Sequence, residues 1–261
     1  MPDHLIVSAP GAHPLATLSV ALVFAAIFLV GGRVTYQPGQ KGRRRFLSFA
    51  AGVSVAYMFV HVLPALHAIR EFQTHSPNPA VLFPAYGVYL WTMVGFLVFY
   101  GLETMAAAQP VLIGAVGHAA GGSPQRPWLH MAGFALYTSI LTYMMVWTAK
   151  DGLALGLFAL AMGLHLFTIA SNLGSHYREA YRRGGAMLAL ASLAGWGAAE
   201  TLQLPIQWVL NLVAFVCGGV VVNAAIAELP REKEGRYWAF LTGAASYTAL
   251  LLILSHVEEA M

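Results

Sequence analysis

The sequence predicts an all-α integral membrane domain of eight transmembrane helices, with an inverted repeat relating helices one to three and six to eight. Three observations predict it. Apolar residues fill 58% of 261 positions, while only 10% are charged. Apolar stretches of about 20 residues, each able to cross a hydrocarbon core of about 30 Å, recur from end to end. Lys and Arg divide very unequally between alternate loops.

Taken in order, the first helix is expected at 14–32. Segment 1–13 carries no Lys or Arg, so it lacks the charged start of a signal peptide and the helix is read as retained. The Gly- and Arg-rich loop 33–45 leads to helix two at 46–69. Loop 70–81, with Pro77 and Pro79, precedes helix three at 82–106. The longest loop, 107–126, holds Pro110, Gly114, Gly117, Gly121, Gly122 and Pro124. Helix four at 127–149 passes through Lys150 and Asp151 into helix five at 152–175. The charged run 176–183, HYREAYRR, is expected to continue helix five beyond the membrane. Helices six, seven and eight are expected at 184–204, 206–229 and 236–257. Glycine and alanine are frequent within these spans, as close helix packing in lipid requires. The loops leave no room for a soluble domain, so residues 1–261 form one membrane domain.

Charge gives the orientation. Twelve of the 14 Lys and Arg residues fall in odd-to-even loops: Arg33, Lys41, Arg43, Arg44, Arg45, Arg126, Arg178, Arg182, Arg183, Arg231, Lys233 and Arg236. The other side holds Arg70 and Lys150, each followed by an acid. The positive-inside rule then places both termini outside the cytoplasm. A net charge of +3 and a pI near 9.1 are explained by loops facing anionic lipid, and no nucleic-acid partner is implied. The single cysteine, Cys217, excludes a disulfide framework and a Cys-based metal site.

A repeat is visible when 51–64, AGVSVAYMFVHVLP, is laid over 217–230, CGGVVVNAAIAELP. Gly52 falls on Gly218, Val55 on Val221, and Leu63-Pro64 on Leu229-Pro230. Helices two and seven run in opposite directions through the membrane, as an inverted-topology repeat requires.

Polar residues inside spans are costly and are functional candidates by default. His165 stands near the middle of helix five, with Thr168, Ser171 and Asn172 following. A neutral imidazole there suits a transition-metal ligand or a proton relay; the alternative is a histidine hydrogen-bonded to a carbonyl or hydroxyl. His61 precedes Val62-Leu63-Pro64 in helix two, where the proline deprives the carbonyl of residue 60 of its helical donor. His67 reads as a solvated helix end. Glu228 ends helix seven beside Leu-Pro and is open to either an ion-path or an interfacial role. Glu103 and Glu200 read as carboxylates snorkelling to the head-group layer, and His130 beside Trp128 as interfacial. His118 stands alone in the long loop. Tyr137, Thr138 and Thr142 make a hydroxyl stripe in helix four that packing explains equally well.

These features together resemble the ZIP (Zrt/Irt-like) family of divalent-metal transporters. The likeness covers eight helices, outward termini and a longest cytoplasmic loop between helices three and four. Its local carriers are FAAGVSVAYMFVHVLPALH at 49–67, GFLVFYGLE at 95–103 and GGVVVNAAIAELPRE at 218–232. The resemblance implies the inverted repeat and a metal centre on helices four and five. In the helix-five segment GLHLFTIASN, His165 stands where the family's first histidine stands, but Leu166, Ile169 and Ala170 replace its other ligands. The helix-four positions near Tyr137, Thr138 and Leu141 hold no acid or histidine, and Ala65 stands where the family often has Glu.

The expected function is therefore transport of a divalent cation, Zn²⁺ or a similar ion as cargo, through a reduced site of His165, His61 and Asn172, with Ser171 and Glu228 as weaker donors. A second expectation is a non-transporting ZIP-fold protein with a structural or regulatory role. A third is an intramembrane zinc hydrolase on His61, His165 and Glu200, which no motif supports, so no enzymatic activity is expected. The segment from His165 through His176, Tyr177 and Tyr181 to Gly195-Trp196 also resembles a branch of bacterial ZIP-like membrane proteins, which points to the inner membrane. The implied partners are membrane lipid and a divalent ion, with homodimerisation left open.

Overall fold

A computed structural model describes residues 14–34, 41–75, 83, 85–107, 127–148, 151–223 and 237–260. Among these residues all regular structure is helical. Helix α1 is Pro14–Val34. Helix α2 has three consecutive pieces: Lys41–Tyr57, a π-helical turn Met58–Val62, and Leu63–His75. There follow α3 (Gly87–Ala107), α4 (Pro127–Thr148), α5 (Gly152–His176), α6 (Arg178–Thr201), α7 (Ile206–Asn223) and α8 (Tyr237–Ala260). Seven of these rods, all but α6, are long and apolar enough to cross a membrane. Of the eight spans expected, seven are of this kind among the described residues. Helix α6 falls short because its first two turns carry Arg178, Glu179, Arg182 and Arg183, and much of the remainder is glycine and alanine.

Two local readings are corrected. The run 176–183 does not prolong helix five. Helix α5 ends at His176, Tyr177 leaves helical geometry at φ −123 and ψ 44, and Arg178 opens α6. No glycine or proline marks that break, so the sequence does not signal it. Helix two is also longer than 46–69, reaching from Lys41 to His75. It passes Pro64 by widening: the Leu63 N–H reaches back five residues to the Met58 carbonyl. A π turn accommodates the proline ring and its missing N–H without breaking the rod.

Side-chain bonds fix the helix directions. Trp196 Nε1 donates to Thr17 Oγ1 at 3.2 Å, Ser192 Oγ to the Ala21 carbonyl at 3.0 Å, and Tyr181 Oη to the Phe28 carbonyl at 2.9 Å. Positions rise along α1 as they fall along α6, so the two are antiparallel neighbours. Interhelical bonds of this kind contribute about 1 kcal/mol each in a membrane. Helices α1 and α5 run parallel, with Phe24 and Ile27 against Gly163 and Gly32 against Gly174. Helices α4 and α6 are parallel too, with Met131 against Gly184 and Ser139 against Gly195.

One backbone crossing occurs twice. On α2 and α8, a Cβ at Gly52 would overlap the Phe240 carbonyl oxygen, and one at Gly243 the Phe49 carbonyl oxygen. On α7 and α3, a Cβ at Gly218 would overlap the Thr92 carbonyl oxygen, and one at Gly95 the Phe215 carbonyl oxygen. In each pair a glycine meets the carbonyl three residues before the opposite glycine. Such contact is open only to residues without a side chain.

The core lies between α1, α4, α5, α6 and α7, around Phe24, Phe28, Met131, Met162, Leu166 and Leu188. Helices α3 and α8 are the least enclosed and expose Met93, Leu97, Leu252 and Ile253, as lipid-facing helices do.

Candidate functional site

Among the described residues, the histidine with no solvent exposure in a span is His165. It is the fourteenth of 25 residues in α5, a helix started by Asp151, whose Oδ1 accepts from the Ala154 N–H at 2.7 Å. That cap satisfies one of the amides left open at a helix start. The His165 carbonyl accepts from Thr168 Oγ1 at 2.7 Å.

The imidazole Nε2 lies 3.1 Å from the Tyr137 hydroxyl of α4, which is equally buried. Tyr137 is held in turn from three sides. Phe99 of α3 packs edge-on against it at 5.3 Å between centroids, Phe134 of α4 does so at 6.4 Å, and Gly219 of α7 leaves room for its ring. Helices α3, α4, α5 and α7 thus meet at the His165–Tyr137 pair. Thr138, next to Tyr137, is fully buried, and its hydroxyl has no hydrogen-bond partner.

The remaining expected donors fall in different places. Ser171 is fully buried and Asn172 half-buried on the following turns of α5, and the Asn172 carbonyl accepts from Ser175 Oγ at 2.8 Å. His61 is exposed within the π turn, its ring stacked on Tyr57 at 5.0 Å. His61, expected as a donor beside His165, is thus an exposed residue while His165 is wholly enclosed. Glu228 lies outside the described residues. Glu200 is half-buried near the end of α6, and its Oε1 is enclosed without a hydrogen-bond partner. His67 is exposed beside Glu71 at 3.7 Å. Among the described residues no group of three or more His, Cys, Asp or Glu side chains converges on one point.

Another contact escapes sequence reasoning. Glu103 and His130, read separately as interfacial residues, stand with Oε2 and Nε2 2.7 Å apart. Tyr177 joins them, its hydroxyl 3.2 Å from His130 Nδ1. Burial first, and the Glu103 carboxylate second, push the Tyr177 phenol above its usual range. These residues are far apart in the chain, and only packing of α4 against α3 and the α5–α6 junction joins them.

Chemically, the His165–Tyr137 pair offers one imidazole nitrogen and one hydroxyl in an apolar interior. That set is adequate for a hydrogen-bonded proton position or a weakly held borderline cation, and is short of the three or four donors of a tight zinc site. No family model and no curated protein matches the sequence.

Proposed function

We propose that this chain is a ZIP-like integral membrane protein that carries a divalent metal cation through a reduced site centred on His165. The observation that carries this reading is the full burial of His165 in the middle of α5, bonded to Tyr137 where four helices meet. A titratable group at that depth is expensive to place and usually belongs to a substrate or proton path. Ser171 and Asn172 follow on the same helix as further oxygen donors.

The reading includes eight crossings, both termini outside the cytoplasm, and residence in a bacterial inner membrane. Helix α6 supplies the eighth crossing. It lies antiparallel along α1 from the Thr17–Trp196 contact to the Phe28–Tyr181 contact, so Gly184, Gly185, Ser192 and Gly195 are sheltered by protein rather than lipid. The reading also includes the inverted repeat, with α1, α2 and α3 equivalent to α6, α7 and α8. The twin glycine crossings of α2 with α8 and α7 with α3 support this equivalence. So does the parallel pairing of α1 with α5 and of α6 with α4, since α1 and α6 oppose each other. Two halves built alike and pointing opposite ways are the architecture of alternating-access carriers.

A second reading, a ZIP-fold protein without transport and with a structural or regulatory role, is favoured by one contact. The Tyr137 hydroxyl already occupies His165 Nε2, one of the two ring nitrogens through which an imidazole holds a cation. Uptake of Zn²⁺, Mn²⁺, Co²⁺ and Fe²⁺ into proteoliposomes separates the two. Transport that disappears in His165→Ala supports the first reading, and uptake unchanged by that substitution removes His165 from the mechanism. No uptake of any ion by the unmodified protein supports the second reading.

A further inference from the structure

At the end of the bundle where α3 finishes and α4 begins, three polar side chains from three helices border one small cavity. Glu103 comes from α3, His130 from the first turn of α4, and Asn223 is the last residue of α7. Phe99, Leu102, Gly133 and Phe134 form the rest of the wall of a partly open space of about 10 Å³. That is close to the room taken by one water-sized sphere.

Two polar atoms of these residues stand out for what they lack. His130 Nε2 is buried and makes no hydrogen bond, although Glu103 Oε2 is 2.7 Å away. At that separation the failure is one of direction: the carboxylate stands off the line along which a ring N–H donates. Asn223 is 5% exposed, and its Nδ2 also has no partner. Buried polar groups are normally satisfied, and each exception calls for a reason.

The second ring nitrogen of His130 supplies one. Nδ1 lies within hydrogen-bond distance of the Tyr177 hydroxyl. With Nδ1–H donating to that oxygen, Nε2 carries the ring's lone pair. This is the arrangement that orients metal-binding histidines. An imidazole nitrogen and a carboxylate oxygen held 2.7 Å apart need a positive charge to hold them together, either a proton on the ring or a bound cation. A water bridges two such acceptors with its O–H groups, whereas a cation also compensates the charge of the Glu103 carboxylate.

We propose that Glu103, His130 and Asn223 form a site for a single borderline divalent cation of the zinc class, separate from His165 and independent of it. Zinc takes imidazole nitrogen and carboxylate oxygen at about 2.0–2.2 Å, which places two such ligands about 3 Å apart. A small opening of the Glu103–His130 contact meets that geometry. Rotation of the Asn223 amide about its last torsion offers Oδ1 as the third donor. Three protein ligands leave a coordination position for water, so the ion is exchangeable rather than structural. A ring of aromatic contacts separates the site from the bundle interior: Phe134 packs on His130 at 5.0 Å and on Tyr137 at 6.4 Å, and Tyr137 on His165 at 6.0 Å. The cation thus sits two ring layers from His165 on the same face of α4.

The test uses the full chain, purified through a tag without histidines and placed in lipid nanodiscs, in a His165→Ala background. Zn²⁺ is titrated with equilibrium dialysis and mass spectrometry, and Co²⁺ is used to report ligand geometry by absorption. One equivalent of Zn²⁺ is expected to remain in His165→Ala and to bind at least tenfold more weakly after Glu103→Gln or His130→Gln. Tyr177→Phe weakens it by about tenfold through loss of the orienting bond. Glu103 and His130 tie α3 to α4, so Asn223→Asp is the variant that spares this contact. It adds a carboxylate to the cavity and is expected to tighten Zn²⁺ at least tenfold. Absence of stoichiometric Zn²⁺ from His165→Ala overturns the proposal, as does binding that Glu103→Gln, His130→Gln and Asn223→Asp all leave unchanged. Failure of transport in proteoliposomes bears on the His165 reading alone.

Discussion

The Tyr137 hydroxyl lies 3.1 Å from Nε2 of His165, with both side chains wholly buried. The bond ties α4 to α5 at mid-height and occupies one of the two nitrogens through which an imidazole holds an ion. Tyr137→Phe keeps the ring packing on Phe99 and Phe134 but removes that bond. Loss of a hydrogen bond from a buried polar group costs about 1–3 kcal/mol. The variant is therefore expected to melt several degrees below the parent in detergent, measured by circular dichroism. An unchanged melting temperature contradicts a structural contribution from this bond.

The two glycine crossings are expected to respond alike to substitution. Gly52→Ala brings a methyl group onto the Phe240 carbonyl, and Gly218→Ala brings one onto the Thr92 carbonyl. Relief requires moving a whole helix, since a backbone oxygen cannot rotate away. Both variants should lose folded yield to a similar degree in fluorescence-detected size-exclusion chromatography. By contrast, Gly42→Ala and Gly156→Ala meet nothing within 4 Å and should behave as the parent.

Asp151 caps α5 through its Oδ1 contact with the Ala154 N–H at 2.7 Å. Asp151→Ala should destabilise the fold by about 0.5–2 kcal/mol, while Asp151→Asn should retain most of the cap. Thermal melts of the two variants side by side check this ordering. Equal losses would point to the charge rather than the hydrogen bond.

Cysteine labelling tests the orientation. The native Cys217 is buried, so it contributes little background. A cysteine placed at Gln40, within the Arg-rich first loop, should resist a membrane-impermeant maleimide added to intact cells. One placed at Ser76, in the second loop, should react. Reaction at position 40 from outside reverses the proposed topology.

Much of this molecule is legible in the linear chain because lipid is a simple solvent. Helices are the spanning form available to a chain of long apolar runs, since every backbone group must be satisfied within the segment. Seven apolar rods follow from the composition of 14–32, 46–69, 82–106, 127–149, 152–175, 206–229 and 236–257, and Gly52 aligned with Gly218 marks a contact that the fold repeats. The depth of His165 is legible for the same reason, because position along a helix fixes height at 1.5 Å per residue. Direction around the helix axis is a different matter. The surface position of His61, the break at Tyr177 and the partnership of Tyr137 with His165 depend on which face each helix turns toward its neighbours. In chains that are apolar on all sides, no amphipathic stripe announces that face. The meeting of Glu103 with His130 and Asn223 needs the ends of α3, α4 and α7 at one level. Their separation in sequence hides this, and tertiary packing alone decides it.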